Sequence, residues 1–326
     1  MLQEPIYNLD LLEKNINKLD WQQLSRNSGA TYILKKYFEK INWAYLSVNE
    51  GAIDILEKNL NKLDWYYLCM NTEAIKILEK NPAKISFQPL SINKKAIHIL
   101  EKNLDKIVWH SLSQNSNALH ILEQHPDEIS YCWLSNNTNP KAINLLESKL
   151  REIDWCFLSK NESAIPILEK NLNLLNWMYL SENPNAIGIL EKNPDKINWK
   201  SLSSNRNAIP LLEKNIDKID WNFLSQNTNA IHILEKNLDK VMWWYNLSSN
   251  PNAINILKNN IDKISWDGLS KNTNIMQIFP LDYQAMKEKN KNFAEELTSK
   301  VFNPMRLMKI CDTYNCEFED LLDNVY

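Results

Sequence analysis

Residues 183–204 read NPNAIGILEKNPDKINWKSLSS. Two Asn-Pro pairs, Asn183-Pro184 and Asn193-Pro194, divide the stretch, and each has the form of a helix start. Asparagine accepts hydrogen bonds from free helix amides, and proline at the first helical position gives up only an N–H that would be unpaired anyway. The pairs predict a first helix over 184–192, with Ala186, Ile187, Ile189 and Leu190 on one apolar face, and a second over 194–203 carrying Ile197, Trp199 and Leu202. Helices of about ten residues are marginal alone in water, because nucleation costs more than so few hydrogen bonds return. They must stack on copies of themselves.

The copies are present. Aligned on one aromatic anchor, the chain gives Trp21, Trp43, Trp65, Phe87, Trp109, Tyr131, Trp155, Trp177, Trp199, Trp221, Trp244 and Trp266, mostly 22 residues apart. The step from Tyr131 to Trp155 is 24, through extra residues around Thr138 to Pro140, and the step from Trp221 to Trp244 is 23. Three residues after each anchor stands a leucine, from Leu24 to Leu269. Three further on stands an asparagine, from Asn27 through Asn49, Asn71, Asn183 and Asn205 to Asn272. A position held in every unit has a repeated structural role, and the asparagines read as caps or as a ladder between layers.

The expectation is therefore an all-α solenoid of about twelve 22-residue helix-pair repeats over residues 1–279, stable through nearest-neighbour stacking and about 100 Å long on a curved axis. Its first unit, residues 7–20, is truncated. The alternative is a leucine-rich-repeat-like solenoid, which shares the period and the Leu-to-Asn spacing. Its strand needs alternating leucines before the asparagine, whereas the pattern here is Trp-x-x-Leu, as in Trp177 and Leu180.

Residues 280–326 read as a C-terminal helical cap or recruiting segment. An amphipathic helix is expected over 283–302, using Met286, Phe293, Leu297 and Val301. Asn303-Pro304 then starts another over 305–314, and an acidic end follows at 317–323. Terminal units of an open array need a polar outer face, which makes capping the first role for this segment.

A formal net charge of −3 and a pI near 6.0 argue against a general nucleic-acid binder. No apolar run is long enough to cross a membrane, which points to a soluble intracellular protein. Cys69, Cys132, Cys156, Cys311 and Cys316 show no metal-ligand spacing and read as free thiols. His98, His120 and His232 share one repeat slot, each with a glutamate three residues on. That slot elsewhere holds Asp54, Lys76, Asn144, Pro166, Gly188 and Pro210, so it reads as a tolerant surface position and not a metal site. The repeated Glu-Lys and Asp-Lys pairs read as a solvated face, since an active site is a single place. No catalytic residue, metal or cofactor is expected, and only four glycines leave no Gly-rich phosphate loop.

The functional lead is the contrast between fixed and variable slots. The residue after each anchor runs Gln22, Ala44, Tyr66, Gln88, His110, Cys132, Cys156, Met178, Lys200, Asn222, Tyr245 and Asp267, with no shared chemistry. The next slot is often aromatic: Tyr45, Tyr67, Trp133, Phe157, Tyr179 and Phe223. On one surface these would form a row of rigid anchors of the kind interface hot spots use; otherwise they fill gaps between layers. The structural anchors Trp43, Trp65, Trp109, Trp155, Trp177, Trp199 and Trp221 are set apart from this row.

The repeat itself, LSxNPNAIxILEKNPDKIxW, resembles a family of short-repeat proteins encoded in many copies by giant DNA viruses of amoebae, over residues 7–272. The tail VFNPMRLMKICDTYNCEFEDLLD, residues 301–323, is similar to a terminal segment of repeat proteins from those viruses. The resemblance implies a viral protein acting in the host cytoplasm, the virus factory or the virion, and implies no reaction. The expected function is a noncatalytic protein–protein interaction scaffold, with a structural or self-assembling component as the alternative. A protein partner is expected, with self-association possible and neither nucleic acid nor membrane involved.

Overall fold

The structure, a computed structural model, describes residues 5–288, 291, 299–300, 303 and 305–309. The chain divides into two compact units: one is Asn15–Ile278, and the other joins the residues before Asn15 to those from Phe279 onward. The truncated first repeat is thus shared between them.

Within Asn15–Ile278 the fold is a helical repeat array. In the stretch 183–204, Asn183 accepts a hydrogen bond from the Asn185 amide at 3.0 Å and opens a 3-10 turn, Pro184–Ala186, that runs into the α-helix Ile187–Lys192. The second expected helix is broken. A 3-10 turn, Pro194–Lys196, gives way to extended residues Ile197 and Asn198 before the α-helix Trp199–Ser204 begins at the anchor. Asn193 does not cap forward either. Its Nδ2 reaches back 2.8 Å to the Ile189 carbonyl, satisfying an acceptor that the end of the preceding helix leaves open. The forward cap lies one residue before the anchor, where Asn198 accepts from the Ser201 amide at 3.0 Å. Asp20, Asp64, Asp154 and Asp220 do the same in their units.

Each unit thus has an anchor helix beginning at the aromatic residue, and all but the last have a second helix of the Ile187–Lys192 type; the Trp266 unit holds the 3-10 segment Ile275–Ile278 in its place. Side chains from both meet in the core, where Leu158, Leu168, Leu180 and Leu190 are fully buried. In ten of the twelve units an alanine stands three residues after the ladder asparagine, such as Ala186 or Ala208, and is also fully buried.

Asparagine joins unit to unit. Asn205 Nδ2 donates to the carbonyls of Ser181 and Asn183 in the preceding unit, both at 3.0 Å, while its Oδ1 accepts from the Asn207 amide. The same three bonds recur at every ladder asparagine, and Asn27 donates to Ser270 O at 3.0 Å and Asn272 O at 2.9 Å. The first rung is therefore bonded to the last. A serine repeats the result: its Oγ donates to the anchor carbonyl four residues back and accepts an amide from the next unit. Ser25 takes the Asn42 amide at 2.9 Å, and Ser270 takes that of Asp20 at 3.0 Å.

The repeat array has no free end, which corrects the open solenoid expected from the sequence. A full turn shared by twelve rungs gives about 30° per unit. Both insertions leave the ladder intact: Asn161 reaches Ser135 and Asn137 across the first, and Asn250 reaches Ser225 and Asn227 across the second. The leucine-rich-repeat alternative is excluded, because the segment preceding each ladder asparagine is helical. Among the described residues strand pairing is limited to the isolated bridge Tyr7–Leu281.

That bridge belongs to the second unit. There the Asn8 amide donates to Pro280 O at 2.9 Å and the Asp282 amide to Ile6 O at 2.8 Å, so the N-terminal segment is hydrogen-bonded to the segment that follows the repeats. Asn303 accepts from the Met305 amide at 3.0 Å, as its expected capping role requires. Most of the helix expected over 283–302, together with Cys311, Cys316 and the acidic end, lies outside the described residues.

Two outcomes follow. Asn183→Ala strands two buried carbonyls and one amide and is expected to lower stability by about 3 kcal/mol in urea denaturation. At the closure, a Cβ on Gly29 would overlap the Thr273 carbonyl, whereas one on the helical Gly188 meets nothing within 4 Å. Gly29→Ala should therefore lower the thermal midpoint and enlarge the radius of gyration measured by X-ray scattering. Gly188→Ala should add about 0.5–1 kcal/mol and leave the size unchanged.

Candidate interaction surface

The closed array has two unlike walls. Cα atoms of most successive anchor helices approach closely, as in Trp155–Lys160 against Trp177–Glu182, a closeness that successive second helices do not share. Units that fan out around a closed circle are nearest on its inside, so the anchor helices line the inner wall and the second helices the outer.

The fixed residues of the anchor helix are occupied structurally. The ring of Trp199 lies beneath Lys218 Nζ at 4.6 Å, that of Trp221 beneath Lys240 at 4.7 Å, and that of Trp43 beneath Lys62 at 4.8 Å. The recurring Asp-Lys lysine is thus a cover for the anchor ring as well as a surface charge, a cation–π role its sequence position did not announce. The serine hub also went unnoticed, and in one unit Cys69 replaces it, receiving the Ser86 amide on Sγ at 3.4 Å. Burial raises the Cys69 pKa, and that amide partly offsets the shift. A second ladder of asparagines was missed as well: Asn207 Nδ2 donates to Pro184 O at 3.0 Å and Asn229 to Arg206 O at 2.9 Å, each reaching one unit back.

What remains exposed on the anchor helix is the first, second and fifth residue after the anchor. By helical geometry these share the face opposite the buried leucine. The aromatic row occupies the second slot. Tyr67, Trp133 and Phe157 are 42%, 37% and 36% exposed, and Tyr45, Tyr179 and Phe223 are half-buried. Trp133 stacks on Phe157 of the next unit with centroids 5.8 Å apart, His110 tilts against Trp133 at 6.1 Å, and Lys200 Nζ lies 4.9 Å over Phe223. These contacts bring the row together on the wall's surface, above a core already filled by Leu68, Leu134 and Leu158. Where the slot lacks an aromatic it holds a buried Pro89, Ser111, Ser201 or Gly268, or a half-buried Gln23 or Asn246. The fifth slot adds Met70 and Ile92, both exposed, which the reading by aromatic residues passed over.

The outer wall carries the histidines. His98, His120 and His232 each meet a glutamate of the preceding unit, Glu79, Glu101 and Glu213, at 2.9–3.0 Å, and not the glutamate three residues on. Among the described residues no group of three or more His, Cys, Asp or Glu is placed to hold a metal, and no helix is long and apolar enough to cross a membrane. Cys132 and Cys156 are exposed free thiols on the inner wall, both in the first slot.

No protein-family model, curated protein or solved structure matches the chain.

The row and the core make a measurable contrast. Phe157→Ala removes a ring already in part solvated and should cost about 1 kcal/mol. Leu158→Ala, one residue on, empties a closed core site and should cost about 2–5 kcal/mol. Equal losses in urea denaturation would make the row part of the core.

Proposed function

We propose that the chain is a noncatalytic protein-binding scaffold whose contact surface is the exposed face of the anchor helices. One observation carries this reading. On this face slots that vary from unit to unit carry large aromatic side chains held half in water by rigid helices, whereas the variable slot of the outer wall holds mostly small, polar or charged residues. Rigid aromatic groups bind at low entropic cost and dominate interface energetics. The outer wall repeats the same Glu-Lys pattern and offers no single distinguished place, which favours binding over catalysis.

The resemblance to repeat proteins of giant amoebal viruses supports a site of action in the infected cell, in host cytoplasm or virus factory. A second reading, self-assembly, draws on the one-residue insertion before Trp244. There Met242 and Trp243 stand 85% and 68% exposed.

Affinity capture with the tagged chain from infected cells, beside a Tyr67→Ala/Phe157→Ala/Tyr179→Ala variant of unchanged helicity, tests the proposal. A partner retained by the parent chain and lost from the variant is the expected outcome. Equal capture would remove the row from the interface. Light scattering tests the second reading separately: a monomer at all concentrations rules it out, and an oligomer dispersed by Trp243→Ala supports it.

A further inference from the structure

The inner wall is not uniform around its circle. From the Trp43 unit to the Trp177 unit, its three exposed slots hold Tyr67, Met70, Ile92, Trp133, Phe157 and Met178 among other apolar or neutral residues. The two charges in this arc, Lys160 and Glu182, are paired with each other at 3.0 Å. The remaining arc, from the Trp199 unit round through the closure to the Trp21 unit, is different. Its exposed charges are Arg26, Lys200 and Lys271 against the single carboxylate Asp267.

Its two aromatic rings do not present bare apolar surface. Phe223 lies under Lys200 and Tyr245 under Lys271, at 4.9 and 5.1 Å. Arg26 and Lys271 occupy the same slot in the two units that meet at the closure, so like charges stand in adjacent units. That arrangement costs free energy until an anion approaches it. A chain of net charge −3 therefore turns a cationic arc inward, opposite an apolar one.

We infer that the inner wall receives an amphipathic segment of a partner protein, with its apolar face on the arc of Tyr67, Trp133 and Phe157 and its acidic face toward Arg26, Lys200 and Lys271. The inference rests on the scaffold reading and gives the partner its chemistry. Segregated arcs match a segment that is itself two-faced, and complementary charge sets its orientation. Size agrees. Twelve anchor helices at the usual packing distance of about 8–10 Å close a circle of about 15–19 Å radius, and side chains of about 6 Å leave an opening of about 20–25 Å, room for one α-helix about 10–12 Å across.

The test is fluorescence anisotropy with the full chain and three labelled probes: an 18-residue helix with leucines on one face and glutamates on the other, the same peptide with lysines in place of glutamates, and a polyuridine RNA. The acidic peptide should bind at least tenfold more tightly than the basic one. The preference should reverse for Arg26→Glu/Lys200→Glu/Lys271→Glu, and affinity for the acidic peptide should fall at least tenfold for Tyr67→Ala/Trp133→Ala/Phe157→Ala, with circular dichroism unchanged in both variants.

Equal affinity for the two peptides, binding of neither, or binding of the RNA alone overturns the inference. If the Tyr67→Ala/Phe157→Ala/Tyr179→Ala variant still loses its captured partner while the peptides show no charge preference, the scaffold reading stands and the acidic amphipathic partner falls.

Discussion

Everything in the repeat array depends on one side-chain amide that bridges two carbonyls of the preceding unit while accepting an amide of its own. Helices of four to six residues leave a large fraction of their backbone groups at ends, where no intrahelical partner exists. A sheet would satisfy such groups by pairing strands, but these segments are helical and present no edge. The asparagine does the work of a strand pair with a side chain. Its Nδ2 is a double donor to Ser181 O and Asn183 O from Asn205, and its Oδ1 accepts the Asn207 amide in the turn that leads to the next helix. Aspartate has no donor for the carbonyls, serine lacks the second one, and glutamine would push the unit away by a methylene. Among the described residues no buried side-chain nitrogen or oxygen is left without a partner, so the network is satisfied throughout.

Closure changes the energetics of such an array. An open stack of twelve units has eleven interfaces and two bare ends, and its end units fray because each has one neighbour. Bonding Asn27 to Ser270 and Asn272 gives every unit two neighbours and removes the apolar ends altogether. The argument that the C-terminal segment must cap the array then loses its premise. The closure also brings a local exception to the repeat: Gly29 stands where later units place asparagines of the second ladder, since a side chain there would strike Thr273.

Legibility in the sequence followed how local each interaction is. The period, the helical class and the first helix were readable because Trp, Leu, Asn and the Ile-x-Ile-Leu pattern act within a few residues of themselves. The break at Ile197 and Asn198 was not. Pro194 has the form of a helix start, yet the turn it begins lasts three residues before the chain extends and restarts under its own cap at Asn198. The serine hub was hidden for a different reason, because its amide partner lies seventeen residues on in another unit. Closure was beyond reach, since no residue states the total of twelve small rotations. The aromatic row stood out because its slot repeats large rings beside a slot that varies, while Met70 and Ile92, on the same face, carry no ring to mark them.

Fixed and variable slots divide the labour of the molecule. Residues that repeat in every unit make contacts that are the same in every unit, and so they carry no information distinguishing one arc of the circle from another. Under the proposed scaffold role, recognition falls to the slots that the ladder and core leave free. On the inner wall those slots are the first, second and fifth after each anchor, and their contents sort by position around the circle into neutral apolar and cationic stretches. The outer wall, with Glu79, Glu101 and Glu213 meeting the same histidine slot again and again, shows what an unsorted surface looks like in the same chain. Because adjacent units are held at fixed spacing by the ladder, such sorting becomes a spatial pattern as soon as the array closes.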